Sequence, residues 1–364
     1  MVRRWNHQFF IRQIDSKGQG PYQRRHQGYD IMSDIITSVL ITAHNRKEFL
    51  KDAVISVLNQ SADRSSFEII VIKNFNDAEL DAFFRKHNII TLKMDSNSSI
   101  GEDILNGLNV AKGNIIVFLD DDDMFSHNKL EKVNEIFFKY PRVSYYHNSS
   151  QHIDRAGHLD NSYHKDPAVP MYFKFPLKMR DIRRCIKLNG TGNMSSIAVR
   201  RTILLDYADT IKNIKCDPDF IIALCVLDSG GSLWLDNRKL TYYRIHESIS
   251  RQKFKDQGML LSHLIRSISF KIDTYQPMIF NFKGDLRRLV FIRSMEALIL
   301  SKTFCFQNIK LRKFDILKFA GYSMKLGDFR SLKYVAIYLL SFLGFSGLTF
   351  ARFAIKWSVA GKRK

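Results

Sequence analysis

The stretch Gly113-Asn-Ile-Ile-Val-Phe-Leu-Asp-Asp-Asp-Asp-Met-Phe125 decides the fold and carries the strongest functional signal. Residues 115–119 form a short apolar run led by β-branched residues, which predicts a buried strand. Four consecutive aspartates follow it directly. Because an unpaired buried charge is very costly, a packed core would not hold four adjacent anions. We therefore expect the strand to deliver them to a surface that favours negative charge.

These carboxylates suit a divalent cation that also binds phosphate. Mg2+ prefers oxygen ligands and often shares them with the diphosphate of a substrate. The alternative is an acidic turn that only caps the following helix. We favour the metal site, because ligands gather at the carboxyl ends of strands in α/β sheets.

Short apolar runs alternate with amphipathic segments on both sides of this stretch. The spacing predicts an α/β, Rossmann-like fold: a mostly parallel sheet with helices on both faces. The polar loops 42–46, 73–77 and 120–123 would then meet at the carboxyl edge of the sheet, where such folds bind ligands. The predicted strands are 35–42, 67–72, 89–92 and 115–119, and the predicted helices are 47–59, 77 to about 87, 101–111 and 129–139.

Charge divides the chain into three parts. Residues 1–31 hold six Lys/Arg and two Asp, residues 32–250 hold 28 charges of each sign, and residues 251–364 hold 22 Lys/Arg and six Asp/Glu. We expect a flexible leader over 1–31, an α/β domain over 32–250 and a basic, mainly helical region over 251–364. A neutral domain with a basic tail predicts contact with a polyanionic surface, either membrane or nucleic acid.

The tail favours membrane over nucleic acid, because its basic residues mix with long apolar runs and match no common nucleic-acid module. Residues 334–351 carry no charge, but polar interruptions make them borderline for a span, which needs about 20 apolar residues. The tail contains two candidate helices, over 289–300 and 314–324. We expect amphipathic helices on the inner leaflet, and hence a peripheral protein at the cytoplasmic face of the cell membrane. The alternative is a helical subdomain packed on the α/β domain. The four cysteines show no CxxC pairing, which predicts reduced thiols.

Four blocks of the sequence resemble one family. Residues 38–46, 53–60, 67–72 and 111–123 are similar, in sequence and in order, to the nucleotide-sugar half of family 2 glycosyltransferases, which have the GT-A fold. The resemblance covers about residues 35–250. It implies an inverting, metal-dependent enzyme that moves a sugar from a nucleotide-diphospho-sugar to a hydroxyl acceptor, with Mg2+ or Mn2+ as cofactor. Membrane attachment would make the acceptor a lipid-linked or cell-surface glycan.

The resemblance also implies roles for individual residues. Asp122 would ligate the metal, and Asp217, within Lys215-Cys-Asp-Pro-Asp-Phe220, would be the base that deprotonates the acceptor. His246 is a further candidate metal ligand, because imidazole binds metals. The candidates for donor binding are Thr42, His44, Arg46, Asn74, Asp120 and Asp121.

The sequence departs from the family pattern at several positions. Lys73 and Asn74 replace a usual acidic pair, residues 104–105 replace Arg-Asn, and Cys216 stands where an acid often precedes the base. Two alternatives therefore stay open. One is a nucleotidyltransferase, which would release pyrophosphate; the other is a non-catalytic relative that only binds sugar nucleotide. Asp217 also has a structural alternative: together with Asp219 it could cap the helix that follows it.

Overall fold

Strands and helices alternate along the first half of the described chain. The structure, a computed structural model, describes residues 35–160, 166–245, 257–304 and 311–340, without the side chains of 257–261, 304 and 340. Its strands are β1 (Thr37–Ala43), β2 (Phe67–Lys73), β3 (Ile90–Lys93), β4 (Ile115–Asp120), β5 (Met124–Phe125), β6 (Val143–Ile153), β7 (Leu159–Asp160), β8 (Met171–Phe173), β9 (Ile197–Arg200) and β10 (Ser232–Arg244). Its helices are α1 (Leu50–Leu58), α2 (Ala78–Lys86), α3 (Ile100–Val110), α4 (Lys129–Lys139), α5 (Met179–Lys187), α6 (Arg201–Asp206), α7 (Ala208–Lys212), α8 (Pro218–Asp228), α9 (Gln257–Met278), α10 (Gly284–Phe304), α11 (Lys313–Lys325) and α12 (Leu332–Leu340).

The described strands form one sheet in the order β3-β2-β1-β4-β9-β6-β10-β5. The four neighbouring strands β3, β2, β1 and β4 run parallel to one another, and β6 and β10 are also parallel. β9 lies antiparallel between β4 and β6, and β5 and β8 pair antiparallel with β10. β7 pairs antiparallel with β6. Most paired residues therefore lie in parallel ladders, and the predicted α/β fold with a mostly parallel sheet is confirmed.

Both faces of the central strands are buried. Along β1, Leu40 faces one apolar core, whereas Val39 and Ile41 face the other. Helices α1, α2 and α4 cover the Val39 face, and α3 and α5–α8 cover the Leu40 face. This arrangement explains the continuous apolar runs of β1, β2 and β4, because a parallel strand covered on both faces has no solvated side that would need polar residues.

The helices after β10 extend the core on the Leu40 face. Met278 of α9 and Val290 of α10 are fully buried in the same apolar cluster as Ile211 of α7. The Thr274 hydroxyl of α9 accepts a hydrogen bond from the backbone N–H of Lys215, at 3.0 Å. The described part of the basic region therefore packs on the sheet domain, which is the arrangement that the sequence left open as the alternative to membrane helices.

The predicted tail helices over 289–300 and 314–324 fall within α10 and α11. Among the described residues, none of the helices combines the length and the apolar content needed to cross a bilayer. The expected leader over 1–31 and the domain boundary at residue 250 lie outside the described residues, as does the part of 334–351 beyond residue 340.

Candidate active site

Three strand ends bring the predicted polar loops together. In the ladder register Thr42 of β1 is the partner of Ile72 on one side and of Asp120 on the other. The residues that follow these positions, His44 to Arg46, Asn74 and Asp121 to Asp123, consequently start from the same edge of the sheet. The edge is the carboxyl end of the parallel strands, where α/β folds bind ligands.

Three of the four aspartates form a cluster suited to a cation. One oxygen each of Asp120, Asp122 and Asp123 lies within 4.8 Å of the other two. Burial, and next the charge of Asp122, raise the pKa of Asp123 to about 7. Burial, followed by the charges of Asp122 and Asp123, also raises the pKa of Asp120 well above its ordinary range. Such crowding of anions would be relieved by a divalent cation, which chooses carboxylate oxygens.

Asp123 is the most deeply placed member of the cluster. It is 1% exposed, and its Oδ1 accepts a hydrogen bond from the backbone N–H of Arg244 at 2.9 Å. Its Oδ2 is buried and finds no hydrogen-bond partner among the described residues. An unsatisfied buried carboxylate oxygen is unusual, because it forfeits solvation without compensation. Asp123 Oδ2 is therefore suited to bind a group from outside the protein, such as a metal ion.

Asp121 is turned away from this trio. The Arg46 guanidinium binds both oxygens of Asp121, through Nε at 3.1 Å and through Nη2. The same Nη2 lies 2.8 Å from Asp122 Oδ2. Burial opposes the charge of Arg46, but the hydrogen bond to Asp121 and the nearby carboxylates raise its pKa above the ordinary value. Arg46 thus fixes the acidic turn and remains cationic beside it.

Asn74 joins the loops that follow β1 and β2. Its Oδ1 accepts from the backbone N–H of Asn45 at 2.8 Å, and its Nδ2 lies 3.2 Å from Nδ1 of His44. Asn45 has φ 55°, a conformation that Asn tolerates better than most residues. Asn74 and His44 are half-buried and exposed, respectively. Two of the predicted donor-binding residues, His44 and Asn74, therefore form a hydrogen-bonded group with Asn45 at the sheet edge.

Asp217 occupies the N-cap position of α8, but it does not cap the helix. Its side chain makes no capping hydrogen bond, and its backbone is left-handed, with φ 52° and ψ 46°. The carboxylate instead accepts a hydrogen bond from the Tyr275 hydroxyl of α9, with 2.7 Å to Oδ2. A non-glycine residue held at positive φ is typical of functional sites. The capping role that the sequence left open is absent, and the carboxylate is turned toward the helical region.

Asp219 is a site residue that the sequence analysis named only as a possible partner in capping. Its Oδ2 accepts from the backbone N–H of Asn193 at 2.9 Å, and its Oδ1 from that of Phe220 at 2.8 Å. Burial, and further the charge of Asp217, raise the pKa of Asp219 to about 6. Asp219 therefore holds the loop before β9 against α8. The Asp-Pro-Asp sequence, which places a second carboxylate close to Asp217, was the signal from which a role for Asp219 could have been predicted.

Lys129 is a second residue that the sequence did not reveal. Its side chain is fully buried, and its Nζ donates to Thr241 Oγ1 at 2.9 Å and to the Ser195 carbonyl. Ser195 in turn accepts from the backbone N–H of Asp120 at 3.0 Å through its hydroxyl. Burial lowers the pKa of Lys129 well below its ordinary value, and the nearby charge of Asp123 acts in the opposite direction. A lysine at the start of an amphipathic helix carries no signal of this role.

Two adjoining cavities open beside these residues. The larger, of about 510 Å3, is here called the large cleft; it is lined by Ile100, Asp120, Ser150, Asn189, Asn193, Met194, Asp217, Pro218, Asp219 and Tyr243. The smaller, of about 320 Å3, is called the helical pocket; its lining includes Asn189, Asp217, Asp219, Lys271, Tyr275, Arg293, Glu296 and Tyr334.

Asp120 and Asp217 therefore line one cleft, although they lie far apart in the sequence. Asp122 is joined to this cleft through its closeness to Asp120 in the trio. Asp217 and Asp219 line both cavities, so they stand where the large cleft meets the helical pocket. His246, the other predicted metal ligand, lies outside the described residues.

Comparison with known structures identifies the class of fold. The crystal structure of S. aureus TarS 1–349 in complex with UDP superposes with a TM-score of 0.55 at 12% identity, covering 84% of this chain and 89% of that one. TarS has the GT-A fold that the sequence resemblance implies, and this expectation is confirmed. At this level of identity the likeness concerns the fold alone.

Comparison of sequences identifies the family. Residues 38–207 match the model described as glycosyl transferase family 2, and this part of the chain belongs to that family. It is 26% identical over 244 residues to the UDP-Glc:alpha-D-GlcNAc-diphosphoundecaprenol beta-1,3-glucosyltransferase WfaP of Escherichia coli, covering 65% of this chain and 88% of WfaP. It is 31% identical over 157 residues to an uncharacterized glycosyltransferase of Rickettsia bellii, covering 41% of this chain but only 22% of that protein.

Proposed function

We propose that the protein is an inverting, metal-dependent glycosyltransferase that moves a hexose from a nucleotide-diphospho-sugar to a hydroxyl acceptor. The observation that carries this proposal is the shared lining of the large cleft: Asp120, from the cation-suited trio, and Asp217, the candidate base, both face it. A donor bound between them would have its diphosphate near the acidic turn and its anomeric carbon toward Asp217. Family membership favours this reaction over nucleotidyl transfer.

The donor side of the cleft fits a diphosphate held through Mg2+ or Mn2+. Asp122, with Asp120 and Asp123, supplies hard oxygen ligands, and the unpartnered Oδ2 of Asp123 leaves one ligand atom unused by the protein. When bound, the ion would stabilise the charge that develops on the leaving nucleoside diphosphate. Arg46 adds a fixed positive charge beside the same turn.

The nucleoside would lie against the loops after β1 and β2. His44 and Asn74 provide a ring and an amide at the same strand ends, and Thr42 lies directly beside Asp120 in the sheet. UDP is the ligand in the TarS complex, which shares this fold. A uridine donor is therefore the first to test.

On the acceptor side, Asp217 would take the proton of the attacking hydroxyl. The Tyr275 hydrogen bond occupies Oδ2 and so fixes the direction of the carboxylate. The other oxygen, Oδ1, accepts no hydrogen bond within the described residues. A carboxylate placed within hydrogen-bond reach of the acceptor acts as a general base, and direct displacement then inverts the anomeric centre.

The helical pocket would hold the acceptor, because it shares Asp217 with the large cleft. Its lining combines aromatic rings with polar and charged groups, among them Tyr275, Tyr334, Lys271 and Arg293. We propose a lipid-linked or cell-surface glycan as the acceptor, used by a peripheral enzyme at the cytoplasmic face of the cell membrane. WfaP, whose name specifies a diphosphoundecaprenol-linked sugar, supports this choice.

A product assay tests the proposal. The protein is incubated with UDP-sugars, a glycan acceptor and Mn2+ or Mg2+, and released UDP and pyrophosphate are both measured. Release of UDP that depends on the metal, and that falls in Asp217→Asn but not in the exposed control Asp209→Asn, is the expected result. Release of pyrophosphate would instead indicate a nucleotidyltransferase. Binding of UDP without turnover of any sugar donor would indicate a non-catalytic relative.

A further inference from the structure

The outward face of α11 carries an apolar stripe. Phe314, Leu317 and Met324 are 69%, 71% and 56% exposed. Their spacing along the chain places them on one side of the helix. Gly321 lies in the same row, and a side chain built there would meet no atom within 4 Å. Within the described part of the chain, the stripe is therefore open to solvent and no other element covers it.

The opposite face of α11 already satisfies the packing needs of this helix. Ile316 and Phe319 are buried in the core on the Leu40 face of the sheet. The ring of Tyr322 packs edge-on against Phe291 of α10, with 5.5 Å between ring centroids. The outer stripe is consequently not required for folding, and a row of large exposed apolar side chains is typical of a binding surface.

Positive charge surrounds the stripe. Lys313 and Lys325 are exposed on its two flanks, and Arg330 is exposed just beyond the helix, next to Phe329, which is 69% exposed. Residues 311–340 contain six Lys/Arg but only two Asp. Apolar side chains flanked by cations match the interface of a bilayer that contains anionic lipid. A second copy of the chain would fit poorly, because it would bring the same cations against these.

We propose that the outer face of α11, formed by Phe314, Leu317 and Met324 with the flanking Lys313 and Lys325, docks on an anionic lipid bilayer. The apolar side chains would enter the headgroup region while the lysines contact lipid phosphates. Docking of this kind needs no spanning helix, and the described part of the chain contains none. The docking surface stands apart from the cleft and does not depend on the proposed chemistry.

The position of this surface relates it to the helical pocket. α10 contributes Arg293 and Glu296 to the pocket and also packs against α11. Packed helices have axes about 8–10 Å apart, so the pocket would stand roughly one helix away from the bilayer. A glycan carried on a membrane lipid would then reach Asp217 while its lipid chain stays in the bilayer. This last step, unlike the docking, rests on the proposed function.

Sedimentation of the full-length protein with lipid vesicles tests the docking. Vesicles of phosphatidylcholine are compared with vesicles that also contain phosphatidylglycerol. The stripe variant Phe314→Ser/Leu317→Ser/Met324→Ser is compared with a matched control, Phe138→Ser/Leu159→Ser/Val169→Ser, whose parent side chains are 90%, 67% and 63% exposed elsewhere on the surface. The thermal shift that UDP causes is measured on all three proteins.

We expect the wild type and the control to bind the anionic vesicles, and the stripe variant to bind at least about tenfold more weakly. Lys313→Gln and Lys325→Gln should each weaken binding about fivefold, and raised salt should weaken wild-type binding. Equal binding by the stripe variant and the wild type, or no binding by the wild type, would overturn the proposal. Loss of a wild-type dimer in the stripe variant would assign the face to self-association instead.

The UDP measurement separates the two proposals. A UDP shift that is the same in all three proteins shows that the variants are folded and that docking is independent of the donor site. Absence of the shift in every protein, together with stripe-dependent vesicle binding, would exclude UDP as the nucleotide of the donor and leave the docking surface standing.

Discussion

Replacing Tyr275 by phenylalanine tests whether the helical region positions the candidate base. The Tyr275 hydroxyl donates to Asp217 Oδ2 at 2.7 Å, and the residue is 2% exposed, edge-on to the ring of Phe220. Phenylalanine keeps the ring and its packing and removes only the donor. The change therefore acts on the direction and the charge environment of the Asp217 carboxylate, not on the fold.

The size of the effect follows from this single hydrogen bond. A hydrogen bond to a charged group contributes about 1.5–3 kcal/mol. Because Asp217 is half-buried, water would recover part of this in the variant. We expect a loss of about 1–2 kcal/mol of transition-state stabilisation, which corresponds to a fall in kcat of about five- to thirtyfold.

The assay is the rate of UDP release at saturating acceptor, with the donor concentration varied. We expect kcat to fall while the KM of the donor stays near its wild-type value, because Tyr275 lines the helical pocket and is not among the residues that line the large cleft. Tyr334→Phe is the matched control, since Tyr334 lines the same pocket. An unchanged kcat in Tyr275→Phe, or an equal loss in both variants, would refute the positioning of the base by Tyr275.

Three further substitutions test the rest of the site. Asp217→Asn should lower kcat about 10²- to 10⁴-fold and leave the UDP-induced thermal shift intact, which melting curves and UDP release would check together. Asp122→Asn should abolish the thermal shift caused by Mn2+ in the presence of UDP; an undiminished shift would exclude Asp122 as a ligand. Asp219 has its pKa raised to about 6 from 3.8, so its charged form is disfavoured in the folded state and its contribution to stability falls as pH rises between about 4 and 6. Chemical denaturation of Asp219→Asn across this range should therefore show a gain in stability relative to the wild type as pH rises, and a constant difference would contradict the cause given for the shift.

The strands and helices that are marked by a local hydrophobic pattern could be predicted from the sequence. β2 and β4 begin at the residues where the apolar runs begin, and α4 spans the predicted range from 129 to 139. Their predictions succeeded because these strands are buried on both faces and read as continuous apolar runs, while α4 buries a single stripe. The sheet edge that carries Asp120 and Thr42 followed from the order of the strands alone.

Other features depend on residues that are distant in the sequence. Nothing near Lys129 signals that it will be buried beside Asp123, because Ser195, in the turn before β9, and Thr241 of β10 supply the oxygens that surround it only after the sheet has formed. The partner of Asp217 is equally hidden, since Tyr275 lies on a helix that follows the whole sheet domain.

The sequence by itself determined that the chain forms an α/β sheet, with four carboxylates at the end of β4 and a basic helical region after it. Periodicity and charge are properties of neighbouring residues, so they can be recognised in the sequence without knowledge of the fold. The tertiary structure alone decided that Asp121 turns to Arg46, that Asp217 faces Tyr275 rather than capping α8, and that α11 leaves an apolar face exposed. Each of these depends on which surfaces meet when separate elements pack, and one sequence does not encode that choice within any single segment.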